Sequence, residues 1–395
     1  MARHEHAFLT HNTVYFWGDI LTRMPPFLYS CFFFNALILC CNKKLKHMIT
    51  ITQTLSGTYF SANIPDVAFT ITGYRAAVTI TIDGTEIYAE NLFPVNGQIA
   101  IEELDVLLTP YARQKLKVAL SIKIEEKAES NDTPTASKTL TADIIYCAAD
   151  INTTAEDYVK THFLTLLEGE KETAQNRLEY LHYIGTDTAQ VVASYDDGTN
   201  KTFTLTPIGG NERYTTLDVS AAQFNLEGKL LIGYNVQAGA RSFRFSIDFS
   251  EPDCAPVLVF DNSFGVEELL YCTGTHTLAP SFKRSAGYVG RYQRNYNIVE
   301  TRTFKADTGI MTFVMALWAQ ELFRSESIHI VNFKDGQPNI GKEVFITDSK
   351  AEYSNDDDEM PRFAFSYQYS QRNHNVVDLL RAGRIFDNTF DNTFN

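Results

Sequence analysis

The sequence predicts a mainly β protein: tandem antiparallel β-sandwich-like domains, with one helix in the C-terminal domain. Three observations predict it. Segment after segment alternates apolar with polar residues, the period of a half-buried strand. Asp83-Gly84, Asn96-Gly97 and Asp197-Gly198 fall between such segments, which is hairpin chemistry. Aromatics make up 13% of the 395 residues, as 28 Phe and 20 Tyr against 2 Trp; Phe and Tyr favour pleated, half-buried surfaces.

A chain of this length exceeds one ordinary core, and three β units are expected behind a leader, residues 1–47. The leader holds an apolar run from Phe27 to Cys41 followed by Asn42-Lys43-Lys44-Leu45-Lys46. That run is short for a membrane span. Three readings stand: an over-extended start, because Met48-Ile49-Thr50-Ile51-Thr52 opens like a strand; a signal or anchor; or a folded element.

Residues 48–150 read as the N-terminal β-sandwich. Val67, Phe69 and Ile71 share a face, and Val78, Ile80 and Ile82 lead into the Asp83-Gly84 turn. Leu116, Val118, Leu120, Ile122 and Ile124 form another face, the polar stretch 126–137 reads as an exposed loop, and Leu140, Ala142, Ile144 and Tyr146 return. About seven strands in about 100 residues is sandwich spacing. Residues 151–254 read as a second β unit, opened by a short helix capped at Thr153-Thr154 and closed by the alternation of Phe243, Phe245, Ile247 and Phe249.

Residues 255–395 hold the third unit. A helix over about 313–324 is expected, with Thr312 as N-cap and Val314, Leu317, Trp318 and Leu322 as its buried stripe. Between the strands near 255–260 and 298–305 lies a stretch read as a loop, with Lys283, Arg284, Arg291 and Arg294 interleaved with Tyr288, Tyr292 and Tyr296. Such a set suits a subunit contact, stacking on bases or sugars, or an ordinary solvated loop. The end of the chain repeats Phe-Asp-Asn-Thr with Phe386, Phe390 and Phe394, echoing Phe260-Asp261-Asn262-Ser263-Phe264. Asx turns with anchoring Phe residues would make it a docking tail, unless the repeat is accidental.

The net charge of −14 repels phosphate backbones and excludes global nucleic-acid binding. Of six cysteines, Cys147, Cys254 and Cys272 lie beyond the leader without metal-type spacing, so no metal site or disulfide framework is expected. Asp356-Asp357-Asp358-Glu359 lacks EF-hand spacing and reads as a solvated loop, although calcium in a β-sandwich loop needs no such motif. Nucleophile elbow, zincin, Walker and dinucleotide signatures are absent from the sequence. His182, His276 and His329 sit among apolar or turn residues and read as structural. Glu267-Glu268 and Glu102-Glu103 are adjacent pairs, which point to opposite faces of a strand. The expectation is a non-enzymatic protein without cofactors.

Several segments together resemble structural proteins of tailed-phage and prophage virions: the strand start at Met48, Phe260-Asp261-Asn262-Ser263-Phe264-Gly265 with Leu270-Tyr271-Cys272, Ala306-Asp307-Thr308-Gly309, the helix with Trp318, and the strand 362–369. The resemblance spans 48–395 and is diffuse; residues 1–47 depart from it. It implies a tail or baseplate component that partners itself and neighbouring virion proteins, assembled in the host cytoplasm, with no catalytic residues and no membrane unless the leader is real. A secreted or surface-anchored β-sandwich adhesin or glycan-binding module is the alternative.

Overall fold

The structure, a computed structural model, describes residues 48–210, 214–334, 337–352 and 359–371. The leader, Asp356-Asp357-Asp358 and the repeat tail with Phe386, Phe390 and Phe394 lie outside the described residues.

In chain order, the first strands are β1 (Thr50–Gln53), β2 (Gly57–Phe60), β3 (Val67–Thr70), β4 (Arg75–Ile82), β5 (Thr85–Leu92) and β6 (Gln98–Ile101). Helix α1 (Leu104–Lys115), β7 (Lys117–Ala128) and β8 (Asn131–Ile145) follow. They build a three-stranded sheet, β1-β3-β6, and a five-stranded sheet, β2-β8-β7-β4-β5. Both sheets bury their alternating faces in one core, where Val67, Phe69, Val78, Ile80, Ile122 and Ile124 meet. The β4–β5 turn takes positive φ at both Asp83 (48°) and Gly84 (80°), the backbone that Asp-Gly supplies at little cost.

Three local expectations are corrected here. The stretch 126–137 is a hairpin end, with β7 and β8 pairing out to Ala128↔Asn131; Pro134, which has no N–H to give, sits at a register shift. The β2–β8 pair is parallel, in an otherwise antiparallel sheet. Helix α1 was not foreseen. Its buried stripe is only Leu104, Leu108 and Ala112, and Pro110 inside it removes a backbone donor, so its apolar period is faint.

Helix α2 (Ala155–Thr161) opens the next stretch, its first turn capped by Thr154 Oγ1, which accepts from Asp157 N at 3.2 Å. Strands β9 (Glu170–Thr173), β10 (Tyr180–Tyr183), β11 (Ala189–Tyr195), β12 (Asn200–Leu205), β13 (Gly209–Gly210), β14 (Thr215–Asp218), β15 (Leu231–Ala238) and β16 (Arg241–Ile247) follow. They form the sheets β12-β11-β15-β16-β9 and β10-β14-β13. Phe243, Phe245 and Ile247 point inward as their alternation predicts, whereas Phe249, beyond the strand end, is exposed.

Last come β17 (Val257–Asp261), β18 (Glu267–Tyr271), β19 (His276–Val289), β20 (Tyr292–Asp307), α3 (Phe313–Arg324), β21 (Ile328–Lys334), β22 (Gln337–Lys350) and β23 (Ala364–Tyr369). They make one seven-stranded sheet, β18-β17-β21-β22-β23-β20-β19. Helix α3 lies against it, Trp318 near Phe260 (5.9 Å between ring centres) and Phe323 near Phe363 and Phe365 (5.9 and 5.7 Å). Thr312 caps α3, but the expected stripe is corrected. Val314 and Leu317 are exposed, and the buried face runs through Ala316, Trp318, Ala319 and Leu322. The alanines let the helix approach the sheet closely, so small residues rather than the larger ones mark the buried side.

No described sheet mixes strands from 48–150, 151–254 and 255–371. The buried side chains are shared more widely. One cluster runs from Phe163 through Phe245 and Phe260 to Tyr367, so the second and third stretches bury a common core.

Candidate functional site

The turn between β17 and β18 is the joint of the molecule. Asn262 Oδ1 accepts from Phe264 N (2.9 Å) and Val266 N (3.2 Å), the Asx turn expected of this residue. Asn262 Nδ2 donates to Leu164 O (2.8 Å) and to Glu268 Oε1 (3.0 Å). Phe260 is buried in the core of the last two stretches, whereas Phe264 enters the core of 48–150, against Phe60 and Tyr158. Flanking Phe residues thus anchor the turn in two cores, not on a surface.

Around this turn several ionisable side chains converge out of water. Lys171 Nζ meets Glu179 Oε2 at 2.6 Å, donates to Leu269 O at 3.2 Å and stands 4.7 Å from the centre of the Trp318 ring. Thr173 Oγ1 donates to Glu179 Oε1 (2.9 Å). Trp318 Nε1 donates to Glu268 Oε2, and Ser263 donates through N and Oγ to Glu321 Oε1. Glu321 Oε2 is buried and has no hydrogen-bond partner among the described residues. Burial, then the neighbouring Glu268, pushes the Glu321 carboxyl up to about 7. Burial also raises Glu268, with Lys171 opposing. The cavity beside Lys171, Glu179, Glu268 and Trp318 is about 20 Å³, room for roughly one water and for no substrate. As the adjacent pair predicts, Glu267 faces solvent while Glu268 turns inward. Lys171, Glu179 and Glu321 escaped sequence reasoning; the available signal was a glutamate three residues after Trp318 on an apolar helix.

Burying Glu321 makes stability depend on pH. An unfolded glutamate loses its proton near 4.5, whereas folded Glu321 keeps it to about 7. The folded state therefore binds more protons in that window, and stability falls as pH rises through it, by up to about 3 kcal/mol, then levels off. His182 and His276, lowered by burial to about 4, act oppositely: stability rises from about pH 4 to pH 6.5. Comparison with Glu321→Gln isolates the carboxyl. The variant is expected to lack the fall, read as the difference in urea-unfolding free energy between the two proteins at pH 5 and pH 8. Identical pH profiles would show that Glu321 ionises normally in the fold.

His182 and His276 are structural in their contacts. His182 Nδ1 pairs with Thr216 Oγ1 and Nε2 with Glu267 O, both at 2.9 Å. His276 Nε2 pairs with Tyr367 OH at 2.8 Å, and its ring stacks on Phe304. Among the described residues no three His, Cys, Asp or Glu side chains are grouped to hold a metal ion, and Cys147, Cys254 and Cys272 are free thiols. No helix of the described residues is long and apolar enough to cross a membrane. A second, open hollow of about 470 Å³ beside Tyr183, Asp187, Leu205 and Tyr214 has one carboxylate, and Arg241 already holds it at 2.8 Å.

The predicted basic-aromatic residues come together, but not on a loop. Strands β19 and β20 continue as a hairpin paired out to Val289↔Tyr292. Beyond Phe304↔Tyr367, β20 leaves its other neighbour β23, so residues 280–303 run as a two-stranded ribbon about 40 Å long at about 3.3 Å per residue. The turn Gly290-Arg291 has positive φ only at Gly290 (64°), which marks a type II′ hairpin. The overlooked signal was that two-residue Gly-X loop between alternating segments. Asn297, at φ 50°, supplies the extra residue where the register shifts.

Pairing sorts the side chains. Tyr292, Arg294 and Tyr296 share one face with Lys283, while Arg284 and Tyr288 take the other. Gly287 leaves room for the Tyr296 ring, which a Cβ there would meet at 3.2 Å. Tyr288, Tyr292 and Tyr296 are 78%, 72% and 61% exposed. Arg284 stacks over Phe282 (5.0 Å), and Lys283, Arg284, Arg291 and Arg294 have no ion pair among the described residues.

No family model matches the chain, and no curated protein matches it. Among solved structures, a titin tandem of immunoglobulin domains aligns at 10% identity and TM-score 0.22, covering 51% of this chain and 97% of that one. The Rst D1-D2 structure aligns at 8% and 0.21, covering 51% and 98%. The BSP domain of a biofilm associated protein aligns at 11% and 0.16, covering 52% and 30%. Agreement this slight carries nothing about function. The chain is a mainly β protein of successive antiparallel sheets in β-sandwich-like domains, with helix α3 in the C-terminal one.

Proposed function

We propose that the protein works without catalysis, as an assembly part that joins copies of itself through the β19–β20 hairpin. One observation carries this reading. An isolated two-stranded ribbon is marginally stable in water, yet this one extends both edges and exposes Phe282, Tyr288, Tyr292 and Tyr296. A partner that covers those rings and pairs the free edge stabilises it, as in strand addition. The diffuse resemblance to tailed-phage virion proteins supports a tail or baseplate setting, with neighbouring virion proteins as further partners and assembly in the host cytoplasm. The exposed Tyr288 and Tyr292 rings also suit stacking on sugars, which is what an adhesin or glycan-binding module on a cell surface would use.

Arg291→Glu with Arg294→Glu tests the reading. The double variant is expected to weaken self-association roughly tenfold, the effect of two lost charge contacts at an interface, as read by light scattering over a concentration series. An unchanged oligomer mass would remove the hairpin from the contact. Binding by the wild-type monomer on a glycan array would favour the adhesin reading.

A further inference from the structure

We infer that the acceptor for the hairpin is the open edge of β5 on a second copy of the chain, so that copies join head to tail; this rests on the self-association reading above. Sheet edges carry unpaired N–H and C=O groups and invite strand addition. Setting the hairpin aside, β5 is the longest strand with one side wholly open: it has eight residues and pairs with β4 alone, whereas the open part of β8, Asn131–Thr141, carries Pro134, which has no N–H to give, and the cation Lys138. The other edges suit less well. Strand β18 has its Leu269 carbonyl taken by Lys171 Nζ, β12 carries the cation Lys201, and β2 has four residues and no charge.

Charge selects the pair. Residues 281–299 hold Lys283, Arg284, Arg291 and Arg294 and no carboxylate; residues 84–103 hold Glu86, Glu90, Glu102 and Glu103 and no cation. Those four carboxylates have no ion pair among the described residues. Two hairpins brought together would instead set like charges side by side, which disfavours a symmetric hairpin-to-hairpin dimer. The faces agree as well. Adjacent Lys283 and Arg284 on the open strand β19 point to opposite faces. Glu86 and Glu90 also point to opposite faces of β5, because the bulge at Ile87 pairs Glu86 with Thr81 but Glu90 with Val78. A β19–β5 ladder therefore sets a cation near a carboxylate on each face, within the reach of diagonal cross-strand pairs. Phe93 (54% exposed) and Val95 (73%) beside β5 give the hairpin's rings an apolar seat. Because donor and acceptor are different surfaces, the contact is heterologous and closes as a ring or grows as a filament.

The test uses the full chain in sedimentation velocity and negative-stain images. Glu86→Lys with Glu90→Lys, and separately Lys283→Glu with Arg284→Glu, are each expected to raise the dissociation constant roughly tenfold or more. The quadruple charge swap is expected to restore it. Mixing the first variant with the second is expected to restore association as an alternating one-to-one oligomer, because the two native surfaces match each other and so do the two swapped ones. All four positions are exposed at the surface, and circular dichroism confirms that each variant folds. If Arg291→Glu with Arg294→Glu weakens association while Glu86→Lys with Glu90→Lys does not, the hairpin reading stands and the β5 acceptor is overturned. If the wild-type chain stays monomeric at every concentration, both fall.

Discussion

The Phe264→Ala protein is expected to unfold with about 3–5 kcal/mol less stability than wild type, the usual cost of emptying a fully buried aromatic site. Phe264 is 0% exposed and stands 5.9 Å from the Phe60 ring and 5.4 Å from the Tyr158 ring. The site has little means to collapse. Gly265 follows at φ +69°, and even a Cβ there would come within 3.1 Å of the Tyr146 ring, so the turn is already packed against its seat. Asn262 and Ser263 fix the same turn to Leu164 and Glu321. Phe264→Leu, which keeps most of the volume, is expected to cost about 1.5 kcal/mol or less. Urea unfolding of the three proteins measures both. A loss under about 1 kcal/mol for the alanine variant would mean that the turn does not join the two cores.

Lys171→Met is expected to cost a similar amount, about 3–5 kcal/mol, by leaving a buried carboxylate without its counter-charge. Glu179 is 2% exposed and receives Lys171 Nζ at 2.6 Å, and Glu268 lies in the same cluster. The methionine keeps the packing against Trp318, so the loss reports charge more than volume. Adding Glu179→Gln should recover much of it, because the stranded charge is then gone. Strict additivity of the two substitutions would show that the pair contributes nothing as a pair.

Much of the fold was legible because it is written in nearest neighbours. Alternation in Val78, Ile80 and Ile82 fixes which face of β4 is buried, and Asp83-Gly84 fixes the turn that returns it. Thr154 and Thr312 announce their helices by capping chemistry. Helix α1 escaped because Leu104, Leu108 and Ala112 give a thin stripe interrupted by Pro110. The buried face of α3 was misplaced because large apolar residues outrank alanine on any hydrophobicity scale, whereas close packing on the sheet selects the alanines. The hairpin reads as a loop in the sequence because its two faces are both wet: Tyr292, Arg294 and Tyr296 alternate with polar Gln293 and Asn295 without the apolar contrast that marks a half-buried strand.

By itself the sequence determined that the chain is mainly β, where most strands turn, which residues gather into the basic-aromatic set, and that the Asn262 turn is held by its own side chain. These are local properties, decided within a few residues by side-chain period and turn conformation. Only the tertiary structure decided that Phe260 and Phe264 enter different cores, that Lys171, Glu179, Glu268 and Glu321 meet out of water, and that residues 280–303 project as a ribbon with free edges. Those outcomes join residues up to about 200 positions apart, as Phe60 and Phe264 are. Burial and pairing between such distant segments depend on how whole sheets pack, which no local period records.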